Sequence, residues 1–257
     1  MTMTATVLLT GGTGTLGRLV TSLLRDSGSD VRVLSRRSHE SGDGIEYVTG
    51  DLLKGEGIEP AVDGAEIIVH LAGGPNAKGD DEATRNLVRV ASRVGVQHLV
   101  YISVIGADRV PLGYFRNKLA AERAVADSGL PWTMLRAAQF HDLVLTMMQA
   151  MAKLPVIPVP RGLRFQPVDS GEVAARLVEL TLNKPAGQVP DLAGPKVYGI
   201  AELIRGYLRA RGKRRLMMPV RIPGKAGRAY RAGENLSLEG ADVGKRTWEN
   251  FLAERLR

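Results

Sequence analysis

The sequence predicts an α/β fold: a doubly wound parallel sheet covered by helices on both faces, with a small C-terminal lobe built onto the sheet's end. Three observations predict it. Short β-branched runs alternate with longer stretches of helical spacing as far as Arg136, which is the pattern of parallel strands joined by crossover helices. Gly11, Gly14 and Gly17 stand between the first strand-like run and the first helix, in LLTGGTGTLGRLV. After Arg136 the alternation loosens, and prolines at 155, 158 and 160 punctuate short extended pieces.

Thr6–Thr10 reads as the first strand, followed by a helix over Leu16–Arg25 that ends at Ser27 and Gly28. Val31–Leu34 and Ile45–Val48 read as the second and third strands. A Gly-rich turn follows Asp51, then a short helix near Ile58–Val62 and a fourth strand over Glu66–Leu71. Leu87, Val90, Ala91 and Val94 give Asp81–Val94 one apolar helical face, and His98–Ser103 is the fifth strand. A helix over Tyr114–Asp127 ends at Ser128 and Gly129, and Trp132–Leu135 is the sixth strand. Right-handed crossovers between these strands produce the doubly wound form. Further helices are predicted at Ser170–Leu182, Ile200–Arg211 and Thr247–Leu256.

With 257 residues, 44% of them hydrophobic and 24% charged, the composition is that of a globular protein with a full core. The absence of cysteine excludes disulfides, a thiolate nucleophile and cysteine metal sites. The histidines at 39, 70, 98 and 141 lack metal-ligand spacing, so no metal is expected. Leu143–Ala152 is far shorter than a membrane span, and Met1–Ala5 carries no positive charge of the kind that opens a secretory leader. A cytoplasmic protein without a membrane partner is the resulting expectation. The net charge of +8 is concentrated in residues 205–231, which hold ten Lys or Arg and no Asp or Glu, leaving 25 basic against 27 acidic residues elsewhere. Such a segment suits an anionic cofactor or an acidic protein partner. Nucleic acid is disfavoured, because only Tyr207 and Tyr230 interleave with the charges and no nucleic-acid motif is present.

The glycine spacing has a physical reading. In a strand-to-helix turn, Gly11 permits the tight bend, Gly14 lets backbone N–H groups approach a pyrophosphate, and Gly17 allows the helix to pack close to the strand. The helix N-terminus adds a favourable field for the anion. The second strand ends in Ser35, Arg36 and Arg37, where a site for the unphosphorylated dinucleotide usually carries a carboxylate. The arginine fork matches a 2′-phosphate, which favours NADP, as NADPH, over NAD. Asp51 and Leu52 follow the third strand, where the carboxylate either reaches an adenine amino group or caps its own turn.

Several segments resemble the short-chain dehydrogenase/reductase superfamily in its atypical, NmrA-like branch: TGGTGTLG at 10–17, GDL at 50–52, HLAGG at 70–74, VQHLVYISVIGAD at 96–108, YFRNKLAAERAV at 114–125, WTMLRAAQFHD at 132–142 and QPVDSGEVA at 166–174. They span most of the chain in the expected order. The resemblance implies one Rossmann-type domain over 1–257, with 1–138 as dinucleotide-binding core and 139–257 mainly a substrate-side lobe. It adds Thr13, Thr15, Leu16, Leu71, Ala72 and Gly73 to the candidate cofactor site. Tyr114 and Lys118 match the Tyr-x-x-x-Lys pair of active members, on one face of a helix. There the tyrosine gives a proton to the carbonyl oxygen that receives hydride, while the lysine binds the nicotinamide ribose and lowers the tyrosine's pKa. Ser103, closing the fifth strand, is placed to hydrogen-bond the same oxygen. Arg136, Phe140, His141, Met147 and Met151 are candidates for a substrate pocket, with a small apolar carbonyl or quinone as the expected substrate.

Two functions follow as expectations. The first is an NADPH-dependent reductase of carbonyls or quinones. The alternative is a non-catalytic NADP(H)-sensing regulator that acts through a protein partner docked on residues 205–231.

Overall fold

The computed structural model describes residues 5–74 and 77–256, so most of Met1–Ala5, on which the reading of the leader rests, lies outside the described residues. The chain forms two compact units that interleave in sequence. The first comprises Met1–Ser103, Gly113–Leu135 and Val173–Val189, the second Val104–Leu112, Arg136–Glu172 and Pro190–Arg257.

The first unit carries β1 (Thr6–Thr10), α1 (Thr15–Asp26), β2 (Asp30–Ser35), β3 (Ile45–Thr49), α2 (Ile58–Val62), β4 (Ile67–His70), α3 (Asp80–Val94), most of β5 (His98–Val104), α4 (Gly113–Ala126) and most of β6 (Trp132–Ala137). The parallel sheet runs β3-β2-β1-β4-β5-β6. Val7, Leu8 and Leu9 are each 0% exposed. Successive residues of a strand point to opposite faces, so both faces of β1 are covered. This is why the strand reads as a continuous apolar run rather than an alternating one.

Thr10 pairs with Leu34 on one side and His70 on the other, so β1, β2 and β4 end at nearly the same level. The chain leaves β1 towards β2 and later returns to its other side with β4. Open α/β sheets bind ligands beyond the strand ends at such a reversal. Asp80, Asp81 and Glu82 fill the first turn of α3, where the helix dipole favours negative charge, and Gly79 precedes them with φ +79.

The rest of the chain forms α5 (His141–Met151), β7 (Val156–Pro160), β8 (Arg164–Phe165), α6 (Ser170–Leu182), β9 (Gly187–Gln188), β10 (Leu192–Ala193), β11 (Tyr198–Gly199), α7 (Ile200–Ala210), β12 (Leu216–Val220), α8 (Gly224–Ala232), β13 (Asp242–Val243) and α9 (Trp248–Arg255). Most of α6, and β9, belong to the first unit. The second unit has its own core, in which Ile157, Tyr198, Leu203, Trp248 and Phe251 pack together. β7 and β12 pair in parallel as an isolated two-stranded ribbon with prolines at 158, 160 and 219. Proline is tolerated there because no further strand needs its missing N–H. Among the described residues, no helix is long and apolar enough to cross a membrane.

Candidate active site

The glycine loop shows three different local demands. Gly11 has φ +74, and a Cβ on it would fall 2.7 Å from the Ala72 nitrogen. At Gly17 a Cβ would lie 2.1 Å from the Gly11 carbonyl oxygen, so the first turn of α1 rests directly on the loop backbone. Gly14 is different, because its Cβ would meet only the Gly11 oxygen, at 3.3 Å. It is the N-cap of α1, with no side-chain cap and no acidic residue in the first turn. The start of α1 is thus left open for an anion.

A cleft of about 340 Å³ lies at the ends of β1, β2, β3 and β4, within the size range of small-molecule sites. Its wall takes Gly11, Thr13 and Gly14 from the first loop, Ser35 and Arg36 from the end of β2, Asp51 and Leu52 after β3, and Leu71, Ala72 and Gly73 after β4. Five other candidates, Thr15, Leu16, Gly17, Arg37 and Lys118, are not on that wall. Thr15 is exposed, Leu16 is only 7% exposed and belongs to the core, Gly17 packs on Gly11, and Arg37 is exposed with its N–H donated to Ser35 Oγ at 3.2 Å. Asp51 Oδ1 accepts the N–H groups of Leu53 (2.9 Å) and Lys54 (3.4 Å), so the local turn cap is formed. Thr10 and Gly74, which lie within the quoted motifs but were not named as site residues, also line the cleft, as do Lys78 and Asp80, which no sequence motif marks. For Asp80 the available signal was its place directly after Gly79 at a helix start.

A buried hydrogen-bond chain supports this wall. Thr84 donates its hydroxyl proton to the Asp80 carbonyl at 2.6 Å, so towards His70 Nε2, at 3.0 Å, the Thr84 oxygen must accept. The proton of His70 therefore sits on Nε2, and Nδ1 accepts from Thr10 Oγ1 at 2.6 Å. Thr10 Oγ1 in turn receives the Ala72 N–H at 3.3 Å. Burial, helped by the Lys118 charge, pushes the His70 pKa down to about 3, so the ring stays neutral and the chain keeps one direction.

Lys118 does not line the cleft but meets one residue of its wall, Asp80. Its Nζ lies 3.1 Å from Asp80 Oδ2, with side-chain exposures of 10% and 6%, and 5.6 Å from the centre of the Tyr101 ring. Asp80 Oδ1 accepts the Gly74 N–H at 3.0 Å. Tyr114 stands one helical turn before Lys118 on α4, half-buried and edge-on to Phe115 at 5.3 Å. Ser103 is 5% exposed and its hydroxyl has no hydrogen-bond partner. A buried hydroxyl without a partner invites a functional reading, since such groups are normally satisfied. Tyr101, not named as a site residue in sequence, has its hydroxyl in the same condition. Burial first, then the charges of Asp80, Glu122 and Tyr114, hold the Tyr101 phenol well above its ordinary pKa.

The candidate pocket residues belong to the second unit. Arg136 Nη1 pairs with Asp108 at 3.1 Å, and Phe140 is the N-cap of α5. Met147 and Met151 pack against the unit's core. His141 is 0% exposed, stacks on Phe251 at 5.1 Å, and has no hydrogen bond to either ring nitrogen. Its pKa falls to about 4, because burial outweighs the Asp169 carboxylate 3.9 Å from Nδ1. The ring thus sits inside the core rather than on an open wall, a placement favoured by its stacking and invisible to motif reading.

Sheet order, glycine loop and cleft define a dinucleotide-binding α/β protein of the Rossmann type. Residues 11–157 match the NAD(P)H-binding family, which is more than half of the chain. The chain belongs to that family, and within it to the atypical, NmrA-like short-chain dehydrogenase/reductases. The (4-alkanoyl-5-oxo-2,5-dihydrofuran-3-yl)methyl phosphate reductase of Streptomyces griseus is 29% identical over 214 residues, covering 80% of this chain and 74% of the relative. Quinone oxidoreductase 2 of Escherichia coli is 24% identical over 217 residues, covering 80% and 75%. In fold, the NADPH-dependent quinone oxidoreductase of Escherichia coli, solved with NADPH, superposes with a TM-score of 0.83 at 18% identity over 98% of this chain and 100% of the other.

Proposed function

We propose that this protein is an NADPH-dependent reductase of small apolar carbonyl or quinone compounds. The observation that carries the cofactor choice is Arg36, which lines the cleft at the end of β2 with Ser35 beside it and no carboxylate on that strand end. The open start of α1 and the bare Gly14 fit a pyrophosphate. When bound, NADPH supplies the hydride. Lys118 binds the ribose, the Tyr114 phenol donates the proton to the substrate oxygen, and the unpartnered Ser103 hydroxyl donates a hydrogen bond to the same oxygen. Relatives that reduce a furanone phosphate and quinones support this substrate chemistry.

The test is NADPH and NADH consumption by the purified protein against quinones, aldehydes and cyclic ketones, with cofactor affinity measured by calorimetry. NADPH-selective turnover is expected, and Arg36→Ala weakens NADPH at least about tenfold while NADH changes little. Equal losses for both cofactors refute the 2′-phosphate assignment. Tyr114→Phe abolishes turnover with NADPH affinity nearly intact; unchanged turnover removes the phenol from the mechanism.

A second reading, an NADP(H) sensor with a protein partner, is favoured by one observation. Leu216 and Met218 on β12 are 74% and 54% exposed within the basic segment 205–231. It predicts tight NADPH binding without turnover, and loss of the partner when Arg214 and Arg215 are neutralised.

A further inference from the structure

We propose that Asp80 is a positioning residue for Lys118, and that the pair meets the cofactor as one electrically neutral unit; this rests on the reductase reading above. Lys118 is 8% exposed and Asp80 6%. A charge so enclosed is stable only beside its counter-charge, and the 3.1 Å contact of Nζ with Asp80 Oδ2 supplies it. The second carboxylate oxygen takes the Gly74 N–H, so a single side chain ties the loop after β4 to the middle of α4. Gly73 explains how the three groups come so close. A Cβ there would lie 3.0 Å from Asp80 Oδ2 and 3.1 Å from Lys118 Nζ.

The ammonium is therefore held by the carboxylate and by the face of Tyr101, in space that the missing side chain of Gly73 leaves free. Asp80 is itself held. It opens α3, and its carbonyl ends the chain of bonds through Thr84 and His70 to Thr10 on β1. Lys118 has a long stem with many rotamers, and a lysine already fixed against a residue of the cleft wall loses less freedom when a sugar hydroxyl accepts its hydrogen bond. Asp80 needs no contact with the cofactor for this. Its Oδ2 is fully enclosed and lies off the hydrogen-bond direction of the ammonium.

The experiment is a double-mutant cycle read by calorimetry on the full chain, with Asp80→Asn, Lys118→Met and the double variant. Two ligands are used: NADPH, and 2′,5′-ADP, which lacks the nicotinamide ribose. Each single substitution is expected to weaken NADPH about tenfold or more, the double variant to be no worse than Lys118→Met, and 2′,5′-ADP to change by less than about twofold throughout. Additive losses, or equal losses for both ligands, overturn the assignment. If Asp80→Asn alone does not fold, the double variant, which buries neither charge, is compared with Lys118→Met; lower NADPH affinity in the double variant overturns it. Wild-type protein that binds no NADPH overturns the reductase reading and this proposal together, whereas tight wild-type binding with additive losses overturns the role of Asp80 alone.

Discussion

Acidification from pH 7 to pH 5 should destabilise this protein by about 4 kcal/mol through two enclosed histidines. His70 and His141 have folded-state pKa values of about 3 and about 4, against 6.5 for the free side chain. The folded chain refuses a proton that the unfolded chain accepts, so stability is fully present above pH 6.5 and is lost as pH falls towards the folded values. Between pH 7 and pH 5 each histidine then contributes a loss of about 2 kcal/mol, a large part of a typical domain's stability. His98 is shifted down as well, again mainly by burial, and acts in the same direction. The assay is denaturant unfolding at both pH values, followed by fluorescence of Trp132 and Trp248. His70→Gln keeps a donor for Thr84 and an acceptor for Thr10, and His141→Phe keeps the stack on Phe251; each should remove about 2 kcal/mol of the pH dependence. The comparison is of slopes, so a uniform loss of stability in a variant does not disturb it. A wild-type stability unchanged within about 1 kcal/mol between the two pH values, or variants with the full wild-type slope, would refute the reasoning.

Gly17→Ala and Gly14→Ala should separate folding from binding. The first drives a methyl into the Gly11 carbonyl and should cost at least about 2 kcal/mol of stability, whereas the second should cost no more than about 1 kcal/mol yet weaken NADPH tenfold or more by intruding on the cleft; thermal melts and calorimetry check both. Tyr101→Phe removes a buried hydroxyl that has no partner, so unfolding free energy should hold or rise by up to about 1 kcal/mol. Trp248→Ala should cost about 3–5 kcal/mol, because the ring is 1% exposed, stacks on Phe251 at 5.7 Å and donates Nε1–H to the Leu203 carbonyl.

The strands and helices as far as β6 were legible because their signals are local. Val7–Leu9 are apolar on both faces, Leu87 and Ala91 repeat at helical spacing, and glycines mark the ends of α1 and α3. The glycine loop was legible for the same reason: turn, anion approach and close packing are demands made within seven residues. Arg36 and Arg37 look equivalent in sequence, but only the backbone path leaving β2 decides that Arg36 lines the cleft and Arg37 does not. His141 looked like a pocket residue, and only the packing of α9 against it shows an enclosed ring. Asp80 and Lys118 lie 38 positions apart, on separate helices, and no local pattern announces their pairing. Sequence by itself determined which segments as far as β6 become strands, helices and the phosphate-sized loop, because backbone preference and side-chain period act over a few neighbours. Tertiary structure alone decided which charges meet and which side chains face the cleft, because burial and Coulomb energy depend on distance in space.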